Sequence, residues 1–507
     1  MEIGSEKGKV DGRNAGFLRP LISAYSMLPL HGITAIPGKV AGALMVADAI
    51  KDAVPLIHGP IGCSFQRKIN PFRPYAPFYE TPCTNMTDLE VVYGGEERLR
   101  RGIVETYVKY RPNLILVIST CPSDLIGDDL RAVIEDVKER GEVGCEVVYT
   151  TGDFVERARP VGYQDALYAI ADQMLCREEE CACANDGSVN IVTFPIHGAG
   201  LKVAEMASIL NEIGIKINKV CFDDTTVKDL YDLRAATLTI TDYPMAWAKL
   251  MKERLGIDYY AIVSFGDELD AEALSPYGIE GSARVFMEIA RRLGKEGEAE
   301  EVISRRKKIE EEKLAKARQE VEGKRVAYVG MGGLHSLEVM LLRDLRMKAS
   351  LIIFRTLGLE RTLSKGAIKE LMNMSIEFAR RYGSDPEILV NPTIDEEIEA
   401  MKRTNTDIAV VSSLTNPIHT YNREGIRTFD AMKFMIHNQR VGFECPIELA
   451  MQMRKALRQR KRSPLLSLLE YDRKRANLTP QWAKLADMFK IVREGAFGDK
   501  VKVLEGA

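Results

Sequence analysis

The chain has 507 residues, 46% of them apolar and 28% charged, with a formal net charge of −3. This is the composition of a folded globular protein with room for about three domains, and the near-neutral charge argues against nucleic acid or an anionic membrane as partner. No apolar run approaches the ~20 residues of a spanning helix. The polar opening MEIGSEKGKVDGRN lacks the apolar core of a signal peptide, so a cytoplasmic location is expected. Nine cysteines, an odd number, point to reduced thiols and ligands rather than a disulfide framework.

In chain order, residues 1–30 read as an irregular arm. Residues 32–53 read as a helix whose small residues Gly38, Ala41, Gly42 and Ala43 allow close packing. Two short apolar runs, 54–57 and 114–118, read as buried strands. Cys63 and Cys121 each follow one of them, where strand gives way to helix. In open α/β sheets ligands collect just outside the carboxyl ends of strands. Gly59 and Gly62 let backbone approach something bulky, and Pro122 suits a first helical turn. Thiolate sulfur is the ligand type of iron–sulfur clusters. Two inert buried thiols would fit the same positions. Cys83 lies between them in a loop.

A strand follows at 147–150, preceded by Cys145, a plain structural thiol. A helix is expected at 164–176. Cys176, Cys181 and Cys183 sit in the acidic stretch LCREEECACANDG; their spacing matches no metal site, and the stretch reads as a domain boundary. Strands at 189–194, 215–221, 236–241 and 259–264 alternate with helices at 201–213 and 244–255, the pattern of a parallel α/β unit. Residues 298–322, dense in Glu, Lys and Arg, read as a solvated linker helix. RVAYVGMGGLHS from Arg325 reads as strand, glycine turn and helix. It is not a full GxGxxG, and no phosphate-gripping lysine follows, which argues against a nucleotide site. Further strands are expected at 351–355, 387–390 and 407–412, with His419 and Tyr421 after the last. The basic stretch 454–462 is either a partner-docking patch or a solvated helix end. The expected division is 1–185, 186–296, a linker at 297–323, 324–462 and a helical tail at 463–507.

Three blocks in order, HGPIGC ending at Cys63, TDLEVVYGGEERL from Thr87, and STCPSDLIGDDL around Cys121, resemble the nitrogenase component 1 family. The resemblance is strong over 30–135 and collinear to about 455. It implies an α/β fold of three Rossmann-like domains, parallel sheets flanked by helices around a central cavity. It also implies that Cys63 and Cys121 match the second and third cysteines of the family's electron-transfer cluster. The first falls at Pro37 or Gly38 and is missing; Cys83 is the candidate substitute ligand. Two ligands per chain are too few for a Cys₄ cluster, so the expectation is a [4Fe–4S] cluster shared across a two-fold, or a larger P-cluster-like cluster shared with a different subunit.

By the same resemblance, Tyr163 stands where the nitrogenase α subunit has a histidine beside its cofactor, with Arg159 nearby. They would donate a proton and bind an anion, or simply occupy a helix-start surface loop. His335 stands where nitrogenase uses an arginine, as a cavity residue or as a helix-start histidine facing water. Thr241 and Val441 stand where nitrogenase has its two cofactor ligands, which argues against dinitrogen reduction. Cys221 and Cys445 are either replacement ligands for a second metallocofactor or buried thiols. The implied partners are an ATP-dependent iron protein with its own cluster, and either a second copy of this chain or a second component 1-like subunit in a heterotetramer. The implied function is a two-component reductase acting on a substrate other than N2. The alternatives are a cofactor-assembly scaffold, or a β-like partner subunit of an enzyme such as methylthio-alkane reductase.

Overall fold

The computed structural model describes residues 38–68, 81–152, 159–177, 187–192, 199–221, 225–242, 245–262, 275–330, 335–356, 365–411, 418–438 and 440–458. The expected N-terminal arm, Cys181, Cys183 and the tail from 463 lie outside these. Three parallel sheets, each drawn from one continuous stretch, make up the fold.

The first sheet has the order β1 (Ala53–His58), β2 (Leu114–Ser119), β3 (Glu146–Thr150). Its central strand LILVIS is buried at every position, as a parallel strand covered on both faces must be. Side chains alternate between faces. Leu114, Leu116 and Ile118 join a cluster with helices α1 (Lys39–Asp48) and α7 (Arg159–Ile170), which crosses α1. Ile115 and Val117 join a second cluster with Leu99 and Ile103 of α4 (Glu96–Tyr110) and Leu130 and Val133 of α6 (Leu130–Glu139). The remaining helices of this unit are α2 (Ile61–Lys68), α3 (Asp88–Tyr93) and α5 (Cys121–Ile126).

Two expectations change here. The helix predicted over 32–53 ends at Asp48, and a turn leads into β1. The loop expected to carry Arg159 and Tyr163 is helical from Arg159 onward and continues as a π-helical turn, Ala171–Leu175. The close packing of α1 explains the second change. A Cβ at Gly162 would lie 1.9 Å from the Lys39 carbonyl oxygen, so the glycine that looks like a loop residue is what lets two helices cross. An ion pair, Lys39 Nζ to Asp165 Oδ2 at 2.9 Å, closes the same crossing.

The second sheet has the order β5 (Ile217–Cys221), β4 (Val189–Val192), β6 (Leu238–Thr241), β7 (Asp258–Ala261), with α8 (Ala199–Glu212), α9 (Val227–Asp232) and α10 (Ala246–Leu255). Two helices follow, α11 (Gly278–Arg292) and α12 (Glu296–Ala317). The third sheet has the order β10 (Glu387–Val390), β9 (Lys348–Phe354), β8 (Arg325–Gly330), β11 (Ile408–Val411), β12 (Thr428–Asp430). Its helices are α13 (His335–Val339), α14 (Lys365–Arg381), α15 (Ile394–Arg403), α16 (Ile418–Arg423), α17 (Ala431–His437) and α18 (Cys445–Arg458).

α12 is a helix, as its charge pattern predicts, but it is not surrounded by solvent. Ala299, Val302, Ile303 and Leu314 are buried in one apolar cluster that also takes in Ile191 and Leu238 of the second sheet and Val326 and Ile352 of the third. The spacing of those four residues is a helical stripe, hidden in the sequence by the density of charge around it. No described helix is long and apolar enough to cross a membrane.

Candidate functional site

β1 and β2 pair in register, so their carboxyl ends lie side by side with His58 opposite Ser119. Past β1 the chain makes the Gly59-Pro60 turn and enters α2, whose third residue is Cys63. Past β2, Thr120 is the N-cap of α5, Cys121 is its first residue and Pro122 sits in its first turn. The Ser123 hydroxyl accepts from the Thr120 N–H at 2.9 Å. The two turns are packed against each other: a Cβ at Gly59 would lie 2.0 Å from Thr120 Oγ1. Gly62 differs, with nothing within 4 Å of its Cβ position.

Cys83, expected in a loop, forms a parallel bridge with Ile57 on the outer edge of β1. The Ile57 N–H donates to Pro82 O and the Thr84 N–H to Ile57 O, both at 3.0 Å. The Cys83 thiol donates to Gly59 O at 3.2 Å. The structure therefore brings three half-buried thiols, Cys63, Cys83 and Cys121, to one end of the first sheet. Among the described residues, no three His, Cys, Asp or Glu side chains are grouped closely enough to hold one metal ion. The segments that carry the thiols also expose large apolar side chains: Ile61 (57%), Leu89 (67%), Val92 (71%), Tyr93 (84%) and Leu125 (69%).

Beneath the thiols lies a residue the sequence reading passed over. His58 is fully buried. Its Nδ1 is 3.0 Å from Thr84 Oγ1 and its Nε2 is 2.9 Å from Asp128 Oδ2. The Gly95 N–H donates to the other Asp128 oxygen at 2.8 Å. Burial pushes the imidazole pKa down against the pull of Asp128, so the ring is neutral near pH 7. The signal was present in the words themselves, since His58 opens HGPIGC and Asp128 lies in IGDD.

Tyr163 is not on a surface loop. It is 1% exposed, and its phenol is held protonated by burial first, then by the nearby Asp242 and Cys221. Cys221 ends β5 and Thr241 ends β6, both in register with Val192 of β4. Burial pushes the Cys221 thiol up to about 12. Tyr163, Cys221 and Asp242 thus gather at the carboxyl edge of the second sheet. Arg159 and His335 each begin a helix, α7 and α13. Val441 is buried in the cluster shared by the second and third sheets. Cys445 lies in that cluster too, with its sulfur 3.7 Å from Met340 Sδ and its thiol raised to about 12 by burial. A cavity of about 620 Å³ lies at the opposite end of the first sheet, lined by Asp52, Lys138 and Glu146 among others. Glu146 there accepts from Tyr231 Oη at 2.8 Å and from Arg177 at 2.6 Å, and the cavity takes no part in the thiol site.

Parallel sheets flanked by helices, with thiols at adjacent strand ends, define an α/β protein with a sulfur-donor edge. Residues 39–458 match the family described as nitrogenase component 1 type oxidoreductase, and the chain belongs to that family. The nitrogenase iron-molybdenum cofactor biosynthesis protein NifE of Nostoc sp. is 24% identical over 431 residues, covering 82% of each chain. The NifE protein of Methanococcus maripaludis is 29% identical over 236 residues, 44% of this chain and 47% of that protein, so the matched part spans about half of that relative's length. The nitrogenase molybdenum-iron protein alpha chain of Methanothermobacter thermautotrophicus is 27% identical over 335 residues, 60% of this chain and 67% of that one. A solved structure of nitrogenase Cp1 at pH 6.5 superposes with a TM-score of 0.63 at 17% identity, over 83% of this chain and 92% of that one. It agrees with the fold.

Proposed function

We propose that this chain is the component 1-like subunit of a two-component reductase. Cys63 and Cys121, with matching thiols from a second chain, would hold an iron–sulfur cluster, and Cys83 is the further candidate ligand. The carrying observation is the incomplete donor set. Half-buried thiols stand at adjacent strand ends beside exposed apolar side chains, yet one chain does not close a metal site among its described residues. Thiolates are the right donors for iron and sulfide, and a second chain would complete the count and cover the apolar residues. A cluster held there supplies one-electron transfer. This chain's own part is to hold the thiols at the strand ends and to keep Tyr163 protonated in the interior, with Arg159 and His335 as further candidates for substrate contact. An ATP-dependent iron protein would be the electron donor, in the cytoplasm. Thr241 and Val441, in place of donor side chains, favour a substrate other than N2.

A second reading has its own support. The relative matched over 82% of both chains is named for cofactor biosynthesis, which favours a scaffold that holds a cluster precursor without turnover. Iron and sulfide content and EPR on anaerobically purified protein of known mass test what the two readings share. About two iron atoms per chain in a dimer, lost in Cys63→Ala or Cys121→Ala, is the expected result for one shared Cys₄-type cluster. No iron would sink both. Substrate reduction with an iron protein, ATP and a low-potential donor then supports the reductase, and cluster transfer to an apo-enzyme supports the scaffold.

A further inference from the structure

The three cysteine-bearing segments come from distant parts of the chain, and one buried residue ties them together: His58, five residues before Cys63, meets the Cys121 turn through its backbone carbonyl and the Cys83 segment and Asp128 through its ring. The His58 carbonyl accepts from the Thr120 hydroxyl at 2.9 Å and the Ser123 hydroxyl at 3.0 Å. Both donors flank Cys121. The imidazole meets Thr84, the neighbour of Cys83, at 3.0 Å, and the Gly59 N–H donates to the same hydroxyl oxygen at 3.0 Å. On its other side the ring meets Asp128, two residues past α5, at 2.9 Å. Asp128 in turn anchors the N-cap of α4 through the Gly95 N–H. Carboxylate oxygens accept only, so Nε2 carries the hydrogen, and in the neutral ring Nδ1 accepts from Thr84 O–H. Each link of the chain Gly95–Asp128–His58–Thr84–Gly59 then pairs one donor with one acceptor, the Thr84 hydroxyl donating to the ring and accepting from Gly59. There is no slack, either: a Cβ at Gly95 would lie 2.6 Å from Asp128 Oδ2 and 2.9 Å from His58 Cε1.

The geometry points to His58 as the positioning residue of the thiol site, a clasp that with Asp128 and Thr84 sets the spacing of the segments bearing Cys63, Cys83 and Cys121. This rests on the cluster reading above and adds to it the residue that holds the donors. Buried partners of metal ligands fix ligand orientation. A buried bonded chain does so with little freedom, because each broken link leaves a polar atom buried and unpaired.

The test uses the full-length protein, reconstituted anaerobically with ferrous iron and sulfide. The wild type is compared with His58→Phe, His58→Gln and Thr84→Val for iron and sulfide bound, EPR spectrum, rate of iron loss to a ferrous chelator, and thermal melting by circular dichroism. His58→Phe should lose iron about tenfold faster or more, with a changed EPR spectrum and a melt that stays cooperative. His58→Gln, which keeps a donor at the reach of Nε2, should recover part of the loss. Thr84→Val should follow His58→Phe with a smaller effect. A wild type that binds iron and folded variants with unchanged spectra and loss rates would overturn the inference while leaving the cluster reading in place. A wild type that binds no iron and sulfide would overturn the reading and the clasp together. If His58→Phe does not fold, Thr84→Val decides. If neither folds, His58 is a residue of the fold rather than of the site, and the inference falls.

Discussion

At Gly59 a methyl group has nowhere to go. It would meet the Thr120 hydroxyl 2.0 Å away, the same hydroxyl that bonds His58 O. Overpacking of this kind costs about 1–3 kcal/mol. Gly59→Ala should lower the melting temperature and weaken iron binding together, because the two strand-to-helix turns are forced apart. Gly62 is the internal control: it is the second residue of α2, with open space around it, and Gly62→Ala should leave the fold as stable as before or more stable by up to about 1 kcal/mol. Equal effects in thermal melts of the two variants would refute the packing argument. The sequence marks both glycines alike, and only the structure separates them. Cys63 and Cys121 were legible because their setting is local, a strand end followed by a helix start. The edge pairing of Cys83 with Ile57 was not, because nothing within a few residues of Cys83 encodes it.

Among the elements, α9 shows how a helix start carries a pH dependence. Thr226 and Asp229 form a capping box, and Lys219 Nζ lies 2.6 Å from Asp229 Oδ1. The bond to Lys219, then that to Thr226, holds the Asp229 carboxyl at about 2, below its ordinary 3.8. A depressed carboxylate stabilises the fold above the unfolded-state value, and this is lost as pH falls through the folded one. Urea midpoints measured from about pH 5 down to about pH 2 should therefore fall more steeply for the wild type than for Asp229→Asn. Parallel curves would show that the box contributes nothing in that window. α7 and α12 teach a different lesson. The glycine and proline of RPVGY look like a loop in isolation, yet Gly162 is a helix-crossing contact. The charges of α12 look like solvent exposure, yet four apolar residues bind it into the core. In both cases tertiary packing overrides a local preference.

For the whole molecule, the two large apolar clusters ignore the boundaries between sheets. One joins the first sheet and α1 to Cys221, Trp247 and Met251 of the second unit. The other joins the second sheet to the third. The described region should therefore unfold as one cooperative unit in calorimetry; separate transitions for the three sheets would contradict shared cores. Truncating Trp247, which is 3% exposed, should cost about 3–5 kcal/mol and loosen the first sheet as well as its own. Faster amide exchange in β1 and β2 of Trp247→Ala would show this, and exchange unchanged there would argue against coupling.

What the sequence by itself determined is local: the apolar runs that become parallel strands, the helix starts after them, the cysteines at two strand ends, and three ordered motifs that mark the family. Tertiary structure decided the rest. It set Cys83 on the edge of β1, buried Tyr163 beside Asp242 and Cys221, drew α12 into the core, and joined His58 to Asp128 across 70 residues of chain. The physical reason is range. Periodicity and capping act over one or two helical turns and can be read from neighbours, whereas these pairings exist only once strand order has brought distant segments to the same sheet edge.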